Sequence, residues 1–268
     1  MPPPFRRSAG RSSRPASHPT SDGAAPALRA NKAAAPGPAW TATQWQEGVA
    51  GVAADMQLSL DASQIERLAA YLALLAHWNA TFNLTAVRDP REMLSHHLAD
   101  CLAVCAPLGR QLGLPWGAAA GGGSPAGPPL KRLVDVGSGG GLPGVVLAIV
   151  FPDLWVTCVD TVGKKAAFIR QVAAELRLSN LRAEHARVEQ LALQADVVSC
   201  RAFAALADFT AWTRQLLGTN GAWMAMKGHD PVEERATLPP DVDVFHVEPI
   251  VVPGLEAARC IVWMRPAA

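Results

Sequence analysis

No stretch of this chain approaches the roughly 18 consecutive apolar residues that a membrane span requires, and its first forty residues hold no apolar core of a secretory signal. A membrane partner is therefore excluded, and the expected location is cytoplasmic. Cysteine is sparse: Cys101, Cys105, Cys158, Cys200 and Cys260 are odd in number and form no C-x-x-C pair. Neither a disulfide framework nor a metal site is expected from that pattern, and the thiols read as reduced and mostly buried. Excess charge of either sign is also missing, because 24 basic residues meet 23 acidic ones for a net +1. That is not the strongly basic balance common among nucleic-acid binders. The distribution is uneven, however. Residues 1–38 carry Arg6, Arg7, Arg11, Arg14, Arg29 and Lys32 against Asp22, net +5, which leaves −4 for the rest. Any RNA contact by the body must then come from local basic clusters.

Apolar periodicity is absent up to about Pro38, where Pro, Ser, Ala, Gly and Arg dominate. Such a segment cannot bury enough surface to offset its ordering entropy, so 1–38 reads as a disordered tail. Its Arg- and Ser-rich, acid-poor composition also resembles an organellar transit peptide, a reading set below the solvated tail. Pro115 to Pro129 is a second low-complexity stretch and reads as a flexible linker. The chain divides accordingly into the tail, a helical extension over 39–113, a linker over 114–130 and an α/β domain over 131–268. In the extension, Asp61 with Gln64 three residues on forms a capping box, and Ile65, Leu68, Leu72 and Leu75 share a face. A second helical run is expected from about Arg91 to Leu108, after Asp89-Pro90. Beyond the linker, β-rich runs at Leu133–Val136, Trp155–Val159 and Asp196–Ser199 alternate with helical patterns such as Lys164–Leu176. That alternation predicts a parallel, doubly wound sheet. Trp223–Met226, Val242–Val247 and Cys260–Met264 add strands, the last two as a terminal antiparallel hairpin.

The sharpest signal is Asp135-Val136-Gly137-Ser138-Gly139-Gly140-Gly141-Leu142-Pro143-Gly144, between the first buried strand and an apolar helix. Glycines there permit a tight strand-to-helix turn and let a ligand lie against bare backbone. Gly139 to Gly144 also satisfies the dinucleotide pattern G-x-G-x-x-G, so an NAD(P)-dependent oxidoreductase is the rival reading. Asp135, two residues before the first glycine, completes D-x-G-x-G-x-G, which resembles motif I of S-adenosylmethionine methyltransferases. A carboxylate suits a cationic, amino-acid-bearing ligand better than a pyrophosphate. Asp160 ends the second strand about 20 residues later, where an acid can accept ribose hydroxyls.

Further blocks make the resemblance specific. Trp78-Asn79, Asn83-Leu84-Thr85, Arg88-Asp89-Pro90, the Asp135–Gly144 loop, Arg187-Val188-Glu189, Ser199-Cys200-Arg201-Ala202-Phe203-Ala204 and Lys227-Gly228 together resemble the RsmG (GidB) methyltransferases of 16S ribosomal RNA over roughly residues 56–265. The resemblance implies a Rossmann-like class I methyltransferase fold and S-adenosylmethionine as cofactor. It implies cofactor contacts at Gly137, Leu142, Val188, Glu189 and Arg201, with Asp160 at the ribose; the loop itself adds Asp135, Gly139 and Gly141. It points to 16S rRNA, free or within a 30S subunit or assembly intermediate, as partner of a monomer. Asn83, Arg88, His97, Phe203 and Lys227 are the candidate RNA contacts, and Arg201 is the candidate catalytic residue. The family's basic residue before histidine is replaced here by His96, giving His96-His97, so a phosphate contact there depends on histidine protonation.

The target atom is narrowed by chemistry. Enzymes that methylate exocyclic amines carry Asn or Asp before Pro-Pro-aromatic after strand four, where this chain reads Ser199-Cys200-Arg201-Ala202-Phe203. Cytosine C5 transfer needs a nucleophilic Cys preceded by Pro, and no Pro-Cys occurs. Guanine N7 presents an in-plane lone pair with no proton to remove, so alignment and desolvation suffice. A methyltransferase-like assembly factor without turnover is the non-enzymatic alternative.

If the +5 tail supplies nonspecific attraction to RNA, deleting residues 1–38 should weaken RNA binding more at low salt than at high salt. Titrations of the intact and truncated chains at two salt concentrations check this. Matching affinities at both would make the tail an idle extension.

Overall fold

Short β-branched runs that are apolar on both faces form the centre of a sheet, because only a strand covered on both sides can bury them. In the computed structural model, which describes residues 40–116 and 131–267, this accounts for β1 (Lys131–Val136), β2 (Leu154–Asp160) and β4 (Ala195–Arg201), with β3 (Leu181–His185) beside β2 at one edge. Next come β5 (Leu217–Lys227), β6 (Val242–Ile250) and β7 (Arg259–Pro266). The order across the sheet is β3-β2-β1-β4-β5-β7-β6. The first five strands pair in parallel; β7 runs antiparallel to β5 and to β6, which closes the expected hairpin. This is the mostly parallel, doubly wound sheet that the alternating pattern predicts. β3 carries no apolar run that marks it in the sequence, since Leu181-Arg182-Ala183-Glu184-His185 alternates apolar and polar residues as an edge strand does.

The strand order reverses between β1 and β4, and ligands in such sheets bind beyond the carboxyl ends of strands at that point. Both the glycine loop after β1 and Arg201 at the end of β4 are delivered there. The loop leads into α6 (Gly144–Val150), every residue of which is buried. α7 (Gly163–Glu175) returns from β2 to β3, and α8 (Leu206–Thr213) with α9 (Val232–Ala236) flanks β5.

Ahead of the sheet lie α1 (Ala42–Asp55) and α2 (Ala62–Phe82), each opened by a capping box, Thr41 with Gln44 and Asp61 with Gln64. α1 is not evident in the sequence, because Gly48 and Gly51 inside it depress helix propensity. Packing explains Gly48, since a Cβ there would stand 2.6 Å from Leu94 Cδ1. The helix expected from Arg91 to Leu108 is broken. It runs as α3 (Pro90–Glu92), a π-helical stretch over Met93–Ala99, α4 (Asp100–Leu102) and, after a break at Ala103-Val104, α5 (Cys105–Leu112). One apolar cluster joins Trp45, Leu72, Leu75, Leu98 and Leu108 of these helices to Val146, Phe168 and Met224 around the sheet. No helix among the described residues is long and apolar enough to cross a membrane. The tail over 1–38 and all of the linker except residues 114–116 fall outside the described residues.

α2 reaches the glycine loop directly. Tyr71, the sole tyrosine of the chain, is fully buried and donates its hydroxyl to the Gly140 carbonyl at 2.7 Å. Leu75, one turn on, lies so close that a Cβ on Gly140 would be 2.8 Å from its Cδ1. Replacing Tyr71 by Phe keeps the ring and strands a buried carbonyl, which should cost about 1–3 kcal/mol of stability. Urea denaturation of Tyr71→Phe checks this; an unmoved midpoint would mean that water satisfies Gly140 instead.

Candidate functional site

A strand that must turn sharply into a helix within a few residues needs left-handed backbone, and the loop takes it at Gly137, Gly139 and Gly141, with φ of +68°, +58° and +91°. Side chains on neighbouring strands hold this turn from beneath. Asp135 is completely buried; its Oδ2 accepts from the Gly144 amide at 3.1 Å and its Oδ1 from Ser199 Oγ at 3.0 Å. Gly144 is required by that approach, because a Cβ would meet Asp135 Oδ2 at 2.9 Å and Cys158 Sγ at 2.4 Å. Ser138 Oγ donates to the Asp135 carbonyl at 2.7 Å and accepts from the Val159 amide at 3.2 Å. At the end of β2, Asp160 accepts from the Gly139 amide at 3.0 Å and from the Val162 amide at 2.8 Å, with Lys165 Nζ 3.5 Å from its Oδ2.

Above the loop is a cavity of about 520 Å³, within the usual range for small-ligand sites of roughly 300–1,000 Å³. Gly137 to Gly140 and Leu142 form one wall, and Arg201, Lys227-Gly228 and Arg259-Cys260 come from the ends of β4 and β5 and the start of β7. Leu84 and Thr85 of the connection after α2, with His96 and Asp100 of the helical segment beyond it, close it over. A Cβ on Gly139 would find only the Gly137 carbonyl, at 3.9 Å, so that backbone is bare toward a ligand.

Of the residues selected from sequence, Gly137, Gly139, Leu142, Arg201 and Lys227 meet in this cavity. Asp135 does not reach it. Its carboxylate braces the loop from behind rather than facing a cationic ligand. Asp160 likewise has both oxygens on backbone amides, and Gly141 is buried against Val145, 2.4 Å from where its Cβ would be. Val188, on the 3-10 turn Val188–Gln190, packs into the second apolar cluster with Leu206 and Phe209, while Glu189 is exposed. Neither is on the cavity wall. Phe203 lies across Gly137, its ring edge-on to Phe209 and Trp212. Asn83 caps α2 in left-handed backbone and accepts from Arg88 Nη2 at 2.5 Å, beside Leu84 and Thr85 at the rim.

His97 departs most from expectation. It is buried, its Nε2 bonded to Thr85 Oγ1 at 2.7 Å, and burial holds its imidazole down at about 4. A neutral ring at physiological pH offers no charge to a phosphate, and it is His96 that lines the cavity. Lys227 is also engaged, donating to Glu234 at 2.8 and 3.0 Å and to the Ala204 carbonyl at 3.2 Å. Arg201 and Arg259 share Asp100, at 3.0 and 2.9 Å. Three cations against Asp100 and Glu234 leave one positive charge in excess.

Tyr71, Asp100 and Arg259 escaped the sequence reading. Asp100 had a signal, a lone acid inside Leu98-Ala99-Asp100-Cys101-Leu102, because a carboxylate in an apolar run must be paired. All five cysteines are buried and free, and burial pushes the thiols of Cys101, Cys105, Cys158 and Cys200 well above their usual range. Among the described residues, no three His, Cys, Asp or Glu side chains gather as a metal site.

A family model described as GidB, rRNA small subunit methyltransferase G, matches residues 64–262. The chain belongs to the GidB family. Ribosomal RNA small subunit methyltransferase G of Acidovorax sp. (strain JS42) is 61% identical over 211 residues, 79% of this chain and 91% of that protein. Its namesake in Paracidovorax citrulli (strain AAC00-1) is 59% identical over 213 residues, covering 78% and 85%. A third, from Albidiferax ferrireducens, is 54% identical over 224 residues, 83% of this chain and 98% of its own length. The GidB match spans the glycine loop and also Tyr71, Asp100 and Arg259, so the helical roof and the β7 side of the cavity belong to the matched region. With membership in this family, the dinucleotide reading of the loop is not favoured.

Burial raises the Asp135 carboxyl from 3.8 to about 6, against the opposing effect of its hydrogen bonds from Ser199, Gly144 and Ser138. A folded-state value above the unfolded one means that protonation favours folding. The stabilisation is complete below about pH 4 and is lost as pH rises through about 6. Asp135→Asn, neutral throughout, should lack that slope. Denaturation midpoints across this window should show the unmodified chain losing up to roughly 3 kcal/mol relative to the variant. Parallel curves would mean that the carboxyl titrates as an exposed one does.

Proposed function

We propose that this chain transfers a methyl group from S-adenosylmethionine to N7 of a guanine in 16S ribosomal RNA. Membership in the GidB family supports the methyltransferase class, and the bare glycine loop at the switch point fits a nucleoside cofactor. Bound there, S-adenosylmethionine supplies an electrophilic methyl on a sulfonium. The chain's own part is to bind and align. Backbone of Gly137 to Gly140 cradles the cofactor, and Leu142 closes the wall beside it. Arg201, at the end of β4, presents its guanidinium to the cavity and orients the guanine or the cofactor's carboxylate through a fixed donor fork. Phe203, seated beside Gly137, offers a ring against which an unstacked base can lie. Asn83 and Arg88, which flank the wall residues Leu84 and Thr85 in sequence, and Lys227 of the wall would meet RNA backbone; with His97 neutral, His96 would take over any phosphate contact from that segment. Val188 and Glu189 stand off the cavity wall and would reach the cofactor only at its outer end, while Asp160 would act through the loop, by holding the Gly139 amide.

The observation that carries N7 over an amino group is the state of the cavity's carboxylate. Asp100 lines the cavity with each of its oxygens bonded to a guanidinium, Oδ2 to Arg201 and Oδ1 to Arg259, an arrangement that orients donors and offers an amino group no unpaired carboxylate. N7 needs no proton removed, so the rate of transfer needs no titrating base. The enzyme then lowers the barrier by proximity and by excluding water.

Single-turnover rates at saturating RNA and cofactor should be nearly flat over roughly pH 6.5–8.5. The product should become cleavable by borohydride and aniline at one guanine, because N7 alkylation labilises the imidazole ring. A rate that climbs with pH across that window, with methyl found on an amino nitrogen, would overturn the N7 assignment.

A further inference from the structure

Asp100 is the cavity residue whose geometry goes beyond binding. It sits buried in an apolar helical run, where an unpaired carboxylate is strongly unfavourable. Its two oxygens point to different partners: Oδ2 accepts from Arg201 Nη1 at 3.0 Å, and Oδ1 accepts from Arg259 Nε at 2.9 Å. The same Nη1 of Arg201 also donates to the His96 carbonyl at 3.2 Å. One nitrogen of Arg201 is thus held by two oxygens four residues apart on a single helical segment. The stretch that carries His96, Met93–Ala99, is π-helical, a conformation that is rare and concentrated at functional sites. Among the described residues Nε and Nη2 of Arg201 take no partner, which leaves that edge of the fork for the cavity.

We propose that Asp100 is a positioning residue for methyl transfer, fixing the Arg201 guanidinium by one nitrogen so that its free edge faces the reacting groups. The inference rests on the role assigned to Arg201 above. Stability alone is a weak reason for such an arrangement, since buried ion pairs seldom outperform apolar packing. Its specific feature is the split: one oxygen for β4, one for β7. Asparagine has the same shape but only one acceptor oxygen, and its NH2 would face the other guanidinium.

The test compares Asp100→Asn, Arg201→Ala and the double variant for kcat at saturating RNA and cofactor, with S-adenosylhomocysteine affinity and thermal melting recorded alongside. Asp100→Asn should lower kcat about ten- to a hundredfold, as misplacement of a catalytic group does. Melting should stay cooperative, and the double variant should be no slower than Arg201→Ala alone. A normal kcat in folded Asp100→Asn, or losses that multiply in the double variant, overturns the positioning role while leaving the Arg201 reading intact. Full kcat in Arg201→Ala overturns both. Should Asp100→Asn fail to fold, Asp100→Glu, which keeps the charge and moves it by one methylene, is read in the same cycle with the same outcomes.

Discussion

Five residues, Gly137-Ser138-Gly139-Gly140-Gly141, must hold a ligand-sized curve with almost no side chains of their own. Glycine reaches the left-handed turns but contributes nothing to keeping them, and it loses more conformational freedom on folding than other residues. The order of the loop is therefore supplied from outside. Asp160 holds the Gly139 amide from the sheet side and Tyr71 the Gly140 carbonyl from the helical side, while Ser138 ties the loop back to the Asp135 carbonyl and the Val159 amide, and Asp135 holds the Gly144 amide where the loop enters α6. Each of these groups is buried, so each hydrogen bond is exchanged for no competing water.

That requirement explains the helices ahead of the sheet. A doubly wound sheet can form its switch-point crevice unaided, but here α2 contributes both the Tyr71 hydroxyl and the Leu75 methyls that shape the loop's back. The following segment supplies Asp100 and the His96 carbonyl to Arg201. Gln64 adds a third tie, donating to the Val150 carbonyl at the end of α6. One apolar cluster runs through both parts, so the roof of the cavity and its floor are ordered together.

What was legible in the sequence was what is local. The alternation of strands and helices, the terminal hairpin, the Asp61 cap and the glycine loop all follow from spacing along the chain. Asp135 shows the limit of such reading: its place before the first glycine was right as a signature, yet its carboxylate turns inward, which spacing cannot show. His97 fails similarly, because its burial depends on how a π-helical stretch rotates it, and a straight helix over Arg91–Leu108 gives no hint of that. Tyr71, Asp100 and Arg259 act on partners 69, 101 and 159 residues away. Only a completed fold brings such pairs into contact.

Net charge near zero is reconciled with an RNA substrate by the same long-range pairing. Arg201, Arg259 and Lys227 are matched in the cavity to Asp100 and Glu234, so their charges do not repel one another unscreened. The pairs leave one positive charge in excess and, on Arg201, an unused donor edge. A phosphate or a guanine edge entering the cavity then meets oriented donors with no cost of assembling them, and preorganisation of that kind is what turns modest contacts into catalysis. Bulk basicity would attract RNA anywhere on the surface. Under the proposed function, paired charges gathered in one crevice would make attraction and alignment occur in the same place.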